Sequence, residues 1–200
     1  MSKRLVDLGL VAVLGIPVCV VSIGVALCIL AADGRPVLHV SERIGRHRRP
    51  FRLCKFRTMR PADDAGVATG GDKSARLTAC GRGLRRRRLD ELPQLWNILR
   101  GDMSFVGPRP PLRRYVERHP DLYDRVLACR PGLTGLATLV YHRAEARILA
   151  ACRSEAETDA TYSRRCVPRK ARLDMIYADH ASVPFDLWIL GRTVRTVIGR

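Results

Sequence analysis

The sequence predicts an α+β chain, mainly helical, with an apolar leading segment (residues 1–34) and a small basic body carrying amphipathic surface helices (residues 35–200). Three observations carry that prediction. The 25 residues from Leu8 to Ala32 hold no formal charge. The chain is +17 overall, yet residues 1–32 contribute only Lys3, Arg4 and Asp7 to that balance. Beyond residue 35, short alternating runs are followed by apolar residues at helical spacing. At 200 residues the chain suits one domain with an appendage, and 46% hydrophobic content excludes a disordered polymer. So basic a body seeks polyanions: nucleic acid, acidic lipid or a phosphorylated substrate. The seven cysteines form no C-x-x-C pair and the five histidines no H-x-x-x-H, so neither a zinc ribbon nor a His-based metal site is expected.

The apolar segment is longer than the hydrophobic part of a secretory signal. As a helix, 25 residues rise about 37 Å, enough to cross a ~30 Å hydrocarbon layer. Pro17 lies inside it, where it removes one backbone hydrogen bond. Lys3 and Arg4 precede the segment and the basic body follows it, and positive flanks favour the cytoplasmic side. If both flanks obey that bias, the segment enters the membrane, bends near Pro17 and returns. Charge alone leaves this re-entrant path and a simple span both open.

In the body, Val37–Val40 and Phe51–Phe56 alternate as strands do, around a basic turn at Arg46–Arg49. Residues 61–78 have loop composition. They include Gly66-x4-Gly71-Asp72-Lys73-Ser74, close to a phosphate-binding P-loop, but Asp72 separates the second glycine from Lys73 and no buried strand precedes it. Leu89, Leu92, Leu95, Trp96 and Leu99 recur at helical spacing, with Pro93 placed for a first helical turn. Asp90 and Glu91 then stand at a helix start, where the dipole favours acids whether or not they have a further role. Gly107-Pro108-Arg109-Pro110-Pro111 is a stiff turn able to aim the Arg109 guanidinium at a phosphate or carboxylate. Arg130–Gly135 reads as a second turn, and helices are expected over Ala144–Ala160 and Pro168–Ala181. In Val183–Arg200 an apolar stripe of Leu187, Leu190, Val194 and Val197 fits either a membrane surface or the domain core.

Four strings, in order, add what composition does not: KFRTM (55–59), LDELPQLWNIL (89–99), GDMSFVGPRP (101–110) and RPGLTG (130–135), with SERIG (41–45) ahead of them. Together they resemble the bacterial sugar transferase family, the monotopic phosphoglycosyl transferases. The resemblance implies transfer of a sugar-1-phosphate from a UDP-sugar to undecaprenyl phosphate with release of UMP, initiating exopolysaccharide, capsule or glycoconjugate assembly. It implies that Asp90 is the nucleophile, forming an aspartyl-phosphosugar intermediate, and that Glu91 assists. Mg2+ held at Asp90 and Glu91 is the expected cofactor. It also implies a re-entrant helix bent at Pro17, placing the catalytic domain on the cytoplasmic face of the bacterial inner membrane, among membrane lipids. Lys55, Arg57, Arg85 and Arg109 are the natural phosphate-binding cations. The chain departs from the family's usual pattern at Ile16, Arg88 and Thr138. No nucleic-acid partner is expected, and self-association is left open. The alternatives are an inactive polyprenyl-phosphate-binding relative and a membrane-tethered nucleic-acid-binding protein, the latter without a recognition motif.

Overall fold

The computed structural model describes residues 2–60 and 76–198. The whole P-loop-like stretch and most of the expected loop therefore lie outside the described residues. The described chain is mainly helical, with four short strands in two two-stranded sheets.

Helix α1 spans Ser2–Asp33 and is assigned without interruption through Pro17. It is long and apolar enough to cross a membrane. Its middle packs on little: Val13, Ile16 and Val20 are 73%, 77% and 65% exposed. Its two ends, by contrast, are tied to the same folded body. At the first end Lys3 forms an ion pair with Asp186 and donates to the Tyr177 hydroxyl at 2.9 Å. Arg4 donates to the carbonyls of Ile98 and Leu99, at 2.6 and 2.7 Å. Buried Asp7 accepts from the Ser104 hydroxyl (2.9 Å) and the Phe105 N–H (3.1 Å). At the far end Val25 and Ile29 are buried against Phe56 and Leu84. There the Arg57 guanidinium gathers the carbonyls of Asp33, Gly34 and Arg35 at 2.5–2.9 Å. These carbonyls follow the last helical turn, where no intrahelical donor reaches them.

Strands β1 (Leu38–Ile44) and β2 (Pro50–Phe56) form the expected hairpin, antiparallel, with His39 opposite Lys55 and Arg43 opposite Phe51. The basic turn between them is a 3-10 turn, Arg46–Arg48, held to the body by His47 N–H donating to the Leu127 carbonyl at 2.8 Å. Helix α2 (Ala79–Arg86) starts at Thr78, whose hydroxyl caps the Gly81 N–H. A 3-10 turn at Leu89–Glu91 leads into α3 (Gln94–Arg100) with Pro93 at its start, as the sequence suggests. The buried face of α3 is not the leucine stripe. Gln94, Asn97 and Ile98 are buried while Trp96 and Leu99 are exposed. Asn97 explains the difference, because its amide bridges β2, donating to the Arg52 carbonyl (2.8 Å) and accepting the Cys54 N–H (3.1 Å).

Strand β3 (Ser104–Val106) pairs in parallel with β4 (Gly132–Thr134), so the second expected turn is in part a strand. Between them lie α4 (Arg113–Arg118) and α5 (Pro120–Val126). The helix expected over Ala144–Ala160 is two helices, α6 (Leu136–Ala150) and α7 (Glu155–Thr161). Ser154 caps α7 at the break, and Glu157 reaches back past it to the preceding residue. The Ser154 hydroxyl takes the Glu157 N–H at 3.1 Å, and the Glu157 carboxylate takes the Arg153 N–H at 2.8 Å. A π turn at Tyr162–Cys166 continues into α8 (Val167–Asp179), and α9 spans Val183–Ile198. In α9 the core face is Asp186 and Ile189, so Leu187 and Val194 of the expected stripe remain exposed, as does Trp188 beside them.

The two proline-rich stretches meet backbone to backbone beside β3 and β4. A Cβ on Gly132 would lie 2.1 Å from the Gly107 nitrogen and 2.5 Å from the Thr134 oxygen. Gly132→Ala is therefore expected to destabilise by about 3 kcal/mol or more and lower Tm by several degrees. Gly83→Ala, whose nearest neighbour would be an Arg87 side-chain nitrogen at 3.9 Å within a helix, is expected to leave Tm unchanged or raise it. Thermal unfolding of both variants, with equal Tm as the contrary result, checks this.

Candidate active site

A cavity of about 510 Å3 opens between the hairpin, the Leu89–Glu91 turn and helices α6 and α8. The period of two along the paired strands places Arg43, Leu53 and Lys55 on the one hairpin face that lines it. Arg85 reaches the same space from α2, oriented by its Nε donating to the Thr58 hydroxyl at 2.9 Å. That contact requires α2 to press on the KFRTM stretch, and Gly81 permits it, since a Cβ there would meet the Thr58 oxygen at 2.1 Å.

Asp90 and Glu91 sit together on this wall. Glu91 is doubly held, one oxygen 2.7 Å from Arg88 and the other 3.1 Å from Arg109. Burial alone would raise the Glu91 carboxyl, but Arg109 and Arg88 outweigh it and hold the group below the ordinary range. Asp90 is different. It is only 8% exposed and makes no ion pair among the described residues. Burial first, and the Glu91 charge second, push its carboxyl up, with Arg85 and Lys55 offsetting only part.

Around Asp90 and Glu91 the cations outnumber the acids: Arg43, Lys55, Arg85, Arg88 and Arg109 share the cavity with these two carboxylates, while Glu145 and Asp174 line it beside Lys170. Burial, then repulsion from Arg43, Arg85 and Arg109, brings Lys55 down to about 8. Burial, then Arg109, brings Arg43 down to about 10, and its buried Nε has no hydrogen-bond partner. Such a wall is short of negative charge, which an anionic ligand could supply.

Of the residues singled out in the sequence, Asp90, Glu91, Lys55, Arg85 and Arg109 converge here. Arg57 does not line the cavity; its guanidinium is committed to the three carbonyls after α1. Pro17 lies on exposed α1, remote from it in the chain's packing. Sequence reasoning missed Arg43, which the hairpin register places on the same face as Lys55, opposite Phe51. It treated Arg88 only as a departure, whereas Arg88 takes a left-handed backbone (φ 56°) that turns it onto Glu91. It also singled out nothing in Ala144–Ala160 beyond a helix, whereas Glu145 is half-buried on the cavity wall with Tyr162, Lys170 and Asp174.

A family model described as bacterial sugar transferase matches residues 1–200. The chain belongs to the bacterial sugar transferase family. This family member is 33% identical over 205 residues to the UDP-N-acetylgalactosamine-undecaprenyl-phosphate N-acetylgalactosaminephosphotransferase of Aeromonas hydrophila, covering 98% of this chain and 43% of that protein. It is 36% identical over 167 residues to an uncharacterized sugar transferase, EpsL, of Bacillus subtilis, covering 82% of this chain and 71% of the relative. It is 41% identical over 142 residues to the UDP-glucose:undecaprenyl-phosphate glucose-1-phosphate transferase of Caulobacter vibrioides, covering 68% of this chain and 53% of that protein. The sugar transferase chain thus spans about half the length of the two relatives whose reactions are named.

Asp174 offers a check on the site's electrostatics. Burial pushes its carboxyl up to about 7, with Lys170 and the Ala137 N–H opposing. An unfolded Asp titrates near ~3.9, so between about 4 and 7 the folded state binds the extra proton and stability falls as pH rises. Asp174→Asn removes that dependence. The Tm gap in favour of the variant should widen from pH ~4 to ~7 and stay level above that. A gap independent of pH over this window would show that Asp174 titrates normally.

Proposed function

We propose that this chain transfers a sugar-1-phosphate from a UDP-sugar to undecaprenyl phosphate, releasing UMP, with Asp90 as the nucleophile. The observation that carries the reading is the surplus of cations, half-buried except for the exposed Arg109, around a buried carboxylate that none of them pairs with directly. Arg43, Lys55, Arg85 and Arg109 bind a diphosphate and screen its repulsion from Asp90. The Asp90 oxygen then attacks the phosphorus bearing the sugar. An O–P bond forms, the bond to UMP breaks, and UMP departs with the electron pair. An oxygen of the lipid phosphate next attacks the same phosphorus, and Asp90 leaves as a carboxylate. One transfer is thereby split into two displacements. Glu91, neutralised by Arg88 and Arg109, holds those guanidinium groups toward the reacting phosphate. The names of the relatives support both substrate classes. In a cell the reaction would begin exopolysaccharide, capsule or glycoconjugate assembly.

The donor set also fits Mg2+. Among the described residues no group of three His, Cys, Asp or Glu is gathered. Mg2+, however, is commonly held by one or two carboxylates together with substrate phosphates and waters. Asp90, which makes no ion pair among the described residues, would hold it, joined by Glu91 if Arg88 or Arg109 turns from Glu91 to the diphosphate, and it would neutralise charge on the diphosphate oxygens.

Asp90→Asn should reduce UMP release from UDP-sugar, assayed with polyprenyl phosphate and Mg2+, to background while near-UV circular dichroism stays native. Substantial turnover by the variant would remove Asp90 from this role.

The same reading places the body on the cytoplasmic face of the inner membrane with α1 re-entrant. Two features support it. Lys3, Arg4 and Asp7 at one end of α1, and the carbonyls held by Arg57 at the other, engage one folded body. A transverse span would set those ends on opposite sides of ~30 Å of hydrocarbon. Pro17, in the exposed middle, frees the carbonyl one turn earlier and allows a bend. In spheroplasts, a Ser2→Cys variant cleared of native cysteines should resist an impermeant maleimide. Labelling from the periplasmic side would show a simple span.

A further inference from the structure

The cavity wall facing Asp90 and Glu91 takes no part in the two displacements above. It is built from α6, the π turn and α8. The Lys170 ammonium lies 3.0 and 3.2 Å from the two Glu145 oxygens and donates to the Tyr162 hydroxyl at 3.2 Å. It also sits 5.2 Å from the centre of the Tyr162 ring. The Lys170 and Glu145 side chains are only 13% and 21% exposed.

Two features distinguish this cluster from an ordinary tie between helices. A desolvated ion pair contributes little net stability compared with an apolar replacement, so stability alone is a weak reason to retain one. Here it also lines a cavity, where its remaining lone pairs and protons can meet a ligand. Tyr162, moreover, opens a single π turn, an insertion into the helical ladder that is frequent at functional sites.

The charges complete the argument. Glu145 and Lys170 cancel, and burial raises the neighbouring Asp174 carboxyl toward its neutral form, so these side chains add little net charge and a set of fixed donors and acceptors to a cavity otherwise rich in cations. A sugar diphosphate has the same two-sided character: an anionic diphosphate, and a ring that is uncharged but dense in hydroxyl or acetamido groups. We propose that Glu145, Lys170 and Tyr162 form the sugar-reading subsite of the cavity. Glu145 accepts from ring hydroxyls, while Lys170 fixes the carboxylate and Tyr162 fixes Lys170. This rests on the UDP-sugar reading above. A site built to hydrogen-bond a hydroxyl rejects a sugar that lacks or misplaces it, because buried polar groups are then left unpaired.

The test uses the full chain in lipid nanodiscs with polyprenyl phosphate. kcat/KM is measured for UDP-glucose, UDP-galactose, UDP-N-acetylglucosamine and UDP-N-acetylgalactosamine, with ADP-glucose as the nucleoside control, in wild type, Glu145→Gln and Tyr162→Phe. The ratio between the best and second-best sugar should collapse by about tenfold or more in Glu145→Gln. Tyr162→Phe, which removes a single hydroxyl and guards against a misfolded Glu145 variant, should narrow the same ratio by less. Equal losses for all four sugars in the two variants would show a merely structural tie and overturn the inference. So would a change confined to discrimination between UDP-glucose and ADP-glucose, which would assign the wall to the nucleoside. If the wild type turns over no UDP-sugar, the parent reading fails and takes this inference with it; equal losses with an active wild type overturn the inference alone.

Discussion

Two adjacent carboxylates that must approach an anion need more positive charge than they themselves neutralise, and five separate parts of this chain deliver it. Arg43 comes from β1, Lys55 from β2, Arg85 from α2, Arg88 from the strained residue before the Leu89–Glu91 turn, and Arg109 from the proline-rich turn. Such a cluster repels itself, which is why burial and its neighbours depress Lys55 to about 8 and Arg43 to about 10. It persists only where the surrounding chain is rigid enough to hold the cations together.

That rigidity comes from close backbone contacts more than from a large core. Gly81 lets α2 lie on Thr58, and Thr58 aims Arg85. Gly107 and Gly132 let the two proline-rich stretches touch, which fixes the stem of Arg109. Arg57, although outside the cavity, locks the exit of α1 against the end of β2, so the apolar helix and the cationic wall are parts of one framework. The proposed transfer from a soluble anionic donor to a membrane lipid phosphate would need that coupling.

Much of this was legible in the sequence because the relevant signals are local. Alternation located the hairpin, Pro93 located the start of α3, and the apolar run located α1. The adjacency of Asp90 and Glu91 needed no folding to be seen. What failed to show was set by tertiary packing. Nothing in the spacing of Glu145 and Lys170, 25 residues apart, announces that they meet. Asn97 overrode the leucine stripe by serving the β2 backbone, and Arg57 was drawn to carbonyls that only the folded end of α1 presents. The break between α6 and α7 was readable from Ser154-x-x-Glu157, a local signal hidden by the longer helical composition around it.

The central claim, that Asp90 accepts the phosphosugar, is most directly tested by trapping it. Full-length protein is mixed with UDP-sugar in the absence of lipid acceptor, quenched in acid and digested, and the peptide containing residues 89–93 is weighed and fragmented. The account predicts that this peptide gains the mass of one sugar phosphate on Asp90 and loses it when polyprenyl phosphate is added before the quench. An unmodified Asp90 peptide, recovered from enzyme that turns over the same donor when acceptor is present, would contradict the account.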